Sequence, residues 1–284
     1  MATVKMPKLK PLFIWAGGKT KMLKYHAPHL PSTVNSYSEP FFGGGAMFLH
    51  VMQKYNPERA YINDINESVV NIYRTVKQSP DEFCNVVDVF QSKYIPMSKE
   101  DRKKYFFEVR QTHAYDYKFW SKEFEAGVLY FLMKTGFNGI WQINKNTNGR
   151  YGTPAGLLNQ KDVVYDKAMV YAWHELLQNV EIYCGDYKDC PTGDLNYFDP
   201  PYRDSFTKYG TSWGDAETEE LIEHAKSIDG HVLLCNRCDG STFFDDRKGD
   251  LNITRFPVTY TAGRRKKTST GYAAKPATEI LLYS

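Results

Sequence analysis

Hydrophobic and polar positions divide this chain into stretches of two different periods. Ser36 to Phe42 reads as a short strand running into Gly43-Gly44-Gly45, and a helical pattern follows from Ala46 to about Tyr55. Arg59 to Asn63 reads as a second strand ending at Asp64, and Ser68 to Val76 is again helical. Strand, helix, strand and helix in that order predict a parallel sheet. From Pro80 to Phe137 the spacing is that of amphipathic helices, over Asp81 to Phe90, Lys99 to Gln111 and Ser121 to Met133. Asn138 to Gly156 is rich in Asn, Gly and Thr and reads as a hairpin or exposed loop.

Strand patterning returns at Val180 to Cys184, Leu195 to Phe198 and His231 to Cys235, with a helix over Glu217 to Ile228. Asn252 to Tyr260 and Thr278 to Ser284 look like an antiparallel pair with a basic connection between them. The whole predicts an α/β fold. A Rossmann-like sheet is formed by residues 1–74 and 166–284, and a mainly helical insertion over 75–165 carries a hairpin near 138–156.

Composition excludes several classes. With 42% hydrophobic and 24% charged residues among 284, the chain is globular rather than disordered. No stretch reaches the roughly 18 apolar residues that span a bilayer, so no membrane association is expected. Five cysteines do not make a disulfide framework in a chain of this size, which suits free thiols and a cytoplasmic setting.

Net charge is only +3, but its distribution is uneven. No acid precedes Glu39, none lies between Glu125 and Asp162, and none lies between Asp250 and Glu279. Those windows hold Lys19, Lys134, Lys145, Arg150, Arg255 and the run Arg264 to Lys267. Folded onto one face they would attract a polyanion; the plain alternative is three separate solvated surfaces.

The strongest short motif is Asp199-Pro200-Pro201-Tyr202, directly after the apolar strand Leu195 to Phe198. That places it at the carboxyl end of a parallel strand, where open α/β sheets bind ligands. Two consecutive prolines make a rigid turn. Such a turn suits an exocyclic amino group on a planar ring. Asp199 and the Pro200 carbonyl accept its two N–H bonds, and Tyr202 stacks on the ring.

Glu39-Pro40-Phe41-Phe42-Gly43-Gly44-Gly45 forms a strand–glycine loop–helix unit that lets a ligand approach the backbone. Phe48 stands where a dinucleotide fingerprint needs its third glycine, which argues against NAD. Asp64, at the end of the second strand, suits a pair of ribose hydroxyls. The calcium-loop reading of Asp64 to Ser68 fails because Val69 replaces the required glycine. Gly18-Lys19-Thr20 is no phosphate loop, since Phe13 occupies the first glycine position. Cys235-Asn236-Arg237-Cys238 lacks a second pair at zinc spacing, and no His pair has HExxH spacing, so no metal is expected.

Taken together, these segments resemble the Dam-type DNA adenine-N6 methyltransferases, in the α-group order of glycine loop, insertion and DPPY. The matching segments are Trp15-Ala16-Gly17-Gly18-Lys19, Glu39 to Gly45, Asp64-Ile65-Asn66, Phe137-Asn138-Gly139, Asp199 to Tyr202 and Phe206-Thr207-Lys208-Tyr209. The resemblance implies a Rossmann-like methyltransferase sheet with an inserted helical DNA-recognition domain. It also implies S-adenosyl-L-methionine as methyl donor and double-stranded DNA as substrate, with the protein acting as a monomer. By carry-over, Asp199, Pro200, Pro201 and Tyr202 are catalytic. Trp15, Ala16, Gly17, Lys19, Glu39, Pro40, Phe41, Gly43, Gly45, Asp64, Ile65, Asp186, Tyr187 and Asp199 bind the cofactor. Phe137, Asn138, Gln142, Asn144, Lys145, Arg150, Arg264 and Arg265 face DNA, Phe137 inserting into the base stack unless it is a core residue.

Two positions depart from the GATC-reading members of that family. Ile14 stands where they place a lysine before the Trp, and Gln142 where they place a guanine-reading arginine. Glutamine suits adenine rather than guanine. Recognition is therefore expected at GATC or a related, relaxed site. The alternatives are a methyltransferase of the same fold acting on another planar amine or amide, and a catalytically silent DNA-binding protein that masks sites.

Overall fold

The computed structural model of this chain describes residues 9–203, 213–260, 266–268, 271–273 and 275–284. In chain order the elements begin α1 (Leu23–His26), β1 (Ser36–Glu39), α2 (Ala46–Tyr55), β2 (Arg59–Asp64) and α3 (Glu67–Gln78). Helices α4 (Pro80–Tyr94), α5 (Lys99–Asp116), α6 (Lys122–Thr135) and α7 (Lys167–Leu177) follow. Then come β3 (Val180–Cys184), β4 (Leu195–Phe198), α8 (Asp215–Lys226), β5 (His231–Cys238) and α9 (Phe243–Arg247). The chain ends with β6 (Asn252–Tyr260), the short pair β7 (Lys266–Thr268) and β8 (Gly271–Ala273), and β9 (Lys275–Tyr283).

Seven strands form one sheet in the order β3-β2-β1-β4-β5-β9-β6. The first five are mutually parallel, and β9 runs antiparallel to both of its neighbours. The chain winds outward from β1 to β3, then restarts at β4 on the other side of β1. The gap between the carboxyl ends of β1 and β4 is thus the switch point of a Rossmann-like sheet. Covered on both faces, the central strands lose the in–out alternation of a half-buried strand. All four residues of β4 are buried, as are Val232 to Asn236 in β5.

Helices α3 to α7 lie between β2 and β3 in sequence. Side-chain caps start several of them: Asn66 accepts the Val69 N–H, Ser98 that of Asp101, Ser121 that of Phe124 and Asp166 that of Met169. One apolar cluster runs from Tyr37 and Ile62 in the sheet through Phe83, Phe131 and Trp173 in these helices.

The strand expected over Ser36 to Phe42 stops at Glu39. Pro40 has no N–H for the ladder, and the Phe42 N–H turns instead to the Asn63 carbonyl at 2.9 Å. The closing strand begins at Lys275 rather than Thr278. Helix α7 was not expected, although the Asp166 cap and the spacing of Val170, Trp173 and Leu177 signal it. The segment 138–156 is an irregular hairpin, with antiparallel bridges Gly136–Ala155 and Ile143–Tyr151. Phe206 to Tyr209, Arg264 and Arg265 lie outside the described residues.

Candidate active site

Four segments far apart in sequence converge at the switch point. Glu39 closes β1, Asp64 closes β2, and Asp199 follows β4 directly. Lys19 arrives from the N-terminal segment and is 4% exposed. Its ammonium donates to both Asp199 oxygens, at 2.6 and 2.8 Å, and to the Gly17 carbonyl at 3.0 Å. It also lies 4.9 Å from the centroid of the Tyr202 ring. Burial alone would lower the lysine pKa, but Asp199, helped by Tyr202, Cys235 and Glu279, reverses this and holds it well above the ordinary lysine range. Burial pushes the Asp199 carboxyl up, and Lys19 pulls it part of the way back. At neutral pH the two form an ion pair.

More carboxyl groups surround Lys19 than it can neutralise. The Tyr37 hydroxyl donates to Glu39 at 2.7 Å. Burial nonetheless drives the Glu39 carboxyl well above the usual range, and the nearby Asp199 adds to the rise. Glu279, on β9, accepts the Tyr202 hydroxyl at 2.8 Å. Burial holds that phenol in its protonated form. One buried ammonium is thus shared by a cluster in which Asp199 is its direct partner and Glu39 is biased toward its neutral form.

The glycine loop is shaped by what touches it. The Trp15 ring lies so close to Gly43 that a Cβ there would sit 2.6 Å from its indole nitrogen, and Gly43 has φ +49°. The Gly43 N–H donates to Asp64 at 2.9 Å, and the other Asp64 oxygen accepts the Asn66 N–H, also at 2.9 Å. Gly45 begins α2 with φ +64° and packs on the Phe42 ring. The Pro40 carbonyl accepts from Asn63 at 3.0 Å. Phe41 stacks on Tyr187 at 5.3 Å. Tyr187 is itself buried, and Asp186 caps the short turn that presents it. Ile65 is exposed beside Asp64.

The hairpin meets this assembly through backbone. The Ala16 N–H donates to the Gly139 carbonyl at 3.2 Å. A Cβ on Gly139 would lie 2.2 Å from the Ile14 carbonyl oxygen. The Trp15 and Trp141 rings are 6.0 Å apart. Phe137, Asn138, Asn144 and Lys145 are exposed and Gln142 is half-buried. Arg150 is engaged internally: it donates to Ser68 at 2.8 Å and lies 3.8 Å from the Tyr117 ring centroid. Beside it, a cavity of about 250 Å³ separates the start of α3 from the hairpin; none of Lys19, Glu39, Asp199 or Tyr202 lines it.

The first two acid-free windows therefore touch at Ala16 and Gly139. The third reaches the first through Tyr25 and Phe256, whose rings stack at 4.9 Å.

Besides Glu279, two members of the site carried no motif signal. Cys235, fully buried on β5, has its sulfur 3.4 Å from Asp199 Oδ1 and 3.3 Å from the Tyr197 hydroxyl. His26 sits behind it, 3.1 Å from that same hydroxyl. Burial keeps Cys235 a thiol. A lone CxxC in sequence gives no hint of this, because the neighbourhood comes from strand pairing.

Residues 15–248 match the family described as D12 class N6 adenine-specific DNA methyltransferase. A type II methyltransferase, M.MjaIII of Methanocaldococcus jannaschii, is 28% identical over 87% of this chain and 91% of its own. M1.LlaDCHI of Lactococcus lactis, another type II methyltransferase, is 28% identical over 92% of each chain. The DNA adenine methylase of Escherichia coli K12 is 27% identical over 97% of this chain and 95% of its own.

Proposed function

This chain belongs to the D12 class N6 adenine-specific DNA methyltransferases, and from that premise we propose that it methylates N6 of an adenine flipped out of duplex DNA, with S-adenosyl-L-methionine as donor. The observation that carries the reading is the meeting of Lys19, Asp199 and Tyr202 at the switch point, beside the Gly43 loop. Trp15, Ala16, Gly17, Lys19, Glu39, Pro40, Phe41, Gly43, Gly45, Asp64, Ile65, Asp186, Tyr187 and Asp199 would hold the cofactor. Bound there, S-adenosylmethionine supplies a sulfonium-activated methyl group.

The remaining chemistry is that of the protein. Adenine N6 cannot be reached in line inside a stacked duplex, so the base must leave the stack at a cost of roughly a few kcal/mol. Tyr202 repays part of this by stacking on the base. The N6 lone pair is delocalised into the ring and is a poor nucleophile. Asp199 and the Pro200 carbonyl accept hydrogen bonds from its two N–H groups, draw N6 toward tetrahedral geometry and stabilise the positive charge that develops on it, and the one proton N6 sheds after gaining the methyl group leaves by way of the Asp199 carboxylate. Pro201 keeps the turn rigid. Lys19 must give up one Asp199 oxygen as the amino group arrives, so the ion pair holds the carboxylate charged until then. Positioning is the dominant catalytic effect.

Residues 75–165 are assigned as the target-recognition insertion. Phe137 would enter the base stack, and Asn138, Gln142, Asn144 and Lys145 would face DNA. Arg150 would have to leave Ser68 to reach a phosphate. Arg264 and Arg265 are further phosphate candidates. The basic windows that touch near Ala16 support one DNA-facing side. Ile14, 68% exposed, cannot donate a hydrogen bond to guanine from its place beside Gly139. Gln142 favours adenine. Both support recognition of a GATC-related site that is looser than, or different from, strict GATC. A cytoplasmic monomer is the matching cellular form; among the described residues no helix is long and apolar enough to cross a membrane.

Transfer of labelled methyl groups to DNA, with Asp199→Ala as control, tests the reaction. Tight DNA binding without transfer by the wild-type protein would replace it with a site-masking role. Sequencing-based mapping of methyladenine tests the target, and uniform, exclusive GATC methylation would sink the relaxed-site reading.

A further inference from the structure

We infer that Glu279 is a positioning residue for Tyr202, holding in place the long axis of the ring on which the target base stacks; this rests on the stacking role proposed above. Glu279 is 2% exposed, in a strand whose next three residues, Ile280, Leu281 and Leu282, are fully buried. A carboxyl group in such a place is costly unless hydrogen-bonded. Its Oε1 accepts the Tyr202 hydroxyl at 2.8 Å.

Strand direction makes this contact possible. β9 is wedged antiparallel between β5 and β6, with Glu279 opposite Arg237 on one side and Phe256 on the other. An antiparallel strand brings its early residues to the edge where the parallel strands end. Glu279 thereby enters the ligand edge from the far end of the chain, 77 residues from Tyr202.

Two points then define the ring's long axis. Its Cα follows the rigid Pro200-Pro201 turn, and its hydroxyl is held by Glu279. The Lys19 ammonium, 4.9 Å from the ring centroid, biases rotation about that axis. Without Glu279 the hydroxyl end of the ring loses an anchor, and the incoming base would bear more of the cost of ordering it and bind less well. Glu279 touches no reacting atom, so its effect is on DNA engagement rather than on cofactor binding.

The test compares Glu279→Leu, Glu279→Gln and Tyr202→Phe with the wild type. The readouts are steady-state methylation of a short duplex, calorimetric cofactor affinity and fluorescence of 2-aminopurine at the target position. Glu279→Leu and Tyr202→Phe should each lose about tenfold in kcat/KM for DNA, part of the worth of one base–aromatic stack. The loss should appear mainly as raised KM, with brighter 2-aminopurine and unchanged cofactor affinity. Glu279→Gln keeps an acceptor oxygen and should restore the wild-type values. The double variant Glu279→Leu/Tyr202→Phe should be no worse than either single one. Should Glu279→Leu fail to fold, Tyr202→Phe against Glu279→Gln still decides. The inference is overturned if Glu279→Gln is as impaired as Glu279→Leu, if cofactor affinity falls along with DNA activity, if the two single losses multiply, or if Tyr202→Phe matches the wild type. A wild-type protein that transfers no methyl group to DNA would instead overturn the proposed function.

Discussion

Lys19 and Asp199 are 180 residues apart in sequence, yet the lysine ammonium lies 2.6 and 2.8 Å from the two carboxylate oxygens. Lys19 lowers an Asp199 pKa that burial has raised. Removing the ammonium should let the carboxyl rise further. The reaction needs that group ionised, so Lys19→Met should move the acidic limb of the kcat/KM profile to higher pH. A profile recorded from pH 5 to 9 checks this; an unmoved limb would mean that Asp199 does not limit the rate on the acid side.

Gly139 is the seat of the hairpin on the N-terminal segment. Its φ is +61°, and a Cβ would strike the Ile14 carbonyl at 2.2 Å. Gly149 has a similar φ of +70° but nothing within 4 Å. Gly149→Ala should therefore cost only the left-handed backbone penalty, about 1 kcal/mol. Gly139→Ala should cost more, and should reduce DNA methylation and cofactor affinity together, because Ala16 loses its carbonyl partner. Urea unfolding and methylation assays on the pair separate the two effects. Equal behaviour of the two variants would show that the seat is unimportant.

His26 should make the fold acid-sensitive. Burial first, then Lys19 and His29, lower its pKa from the ordinary 6.5 to about 3. Between those values the unfolded chain binds a proton that the folded protein refuses. The stability of this group is thus complete above about pH 6.5 and is lost as pH falls from there toward 3, by about 1.4 kcal/mol per unit. His26→Met should flatten the stability profile by that slope over this window. Unfolding midpoints at a series of pH values measure it, and parallel profiles would refute it.

Arg102 secures the turn between α4 and α5. It is 9% exposed and donates to the carbonyls of Tyr94 at 3.1 Å, Leu158 at 3.1 Å and Gln160 at 2.7 Å, and to that of Ile95. Arg102→Leu would strip several carbonyls of a charged donor. A loss of at least about 3 kcal/mol is expected. Denaturant unfolding reads it directly, and a change below 1 kcal/mol would place the strength of this turn elsewhere.

The parallel strands and the site motifs were legible because each is local. Strand β4 is one apolar run followed by Asp199-Pro200-Pro201-Tyr202, and β3 and β4 lie where their patterns put them. The early end of β1 was less legible, since apolar Phe41 and Phe42 continue the strand pattern while Pro40 breaks the ladder. Helix α7 was missed even though its cap is a local signal. The basic windows were visible as charge, but that they meet, at Ala16–Gly139 and at Tyr25–Phe256, came only with the fold.

By itself the sequence determined the five parallel strands, most of the helices between them and the motif residues, for these depend on neighbours along the chain. Only the tertiary structure decided that Glu279 and Cys235 belong beside Asp199, that Arg150 braces α3, and that Trp15 shapes the glycine loop. The reason is strand pairing. The sheet order β1-β4-β5-β9 brings residues 39, 199, 235 and 279 to the same edge of four neighbouring strands. No periodicity along the chain encodes which strand will lie next to which, because that choice is made by burying apolar faces between elements distant in sequence.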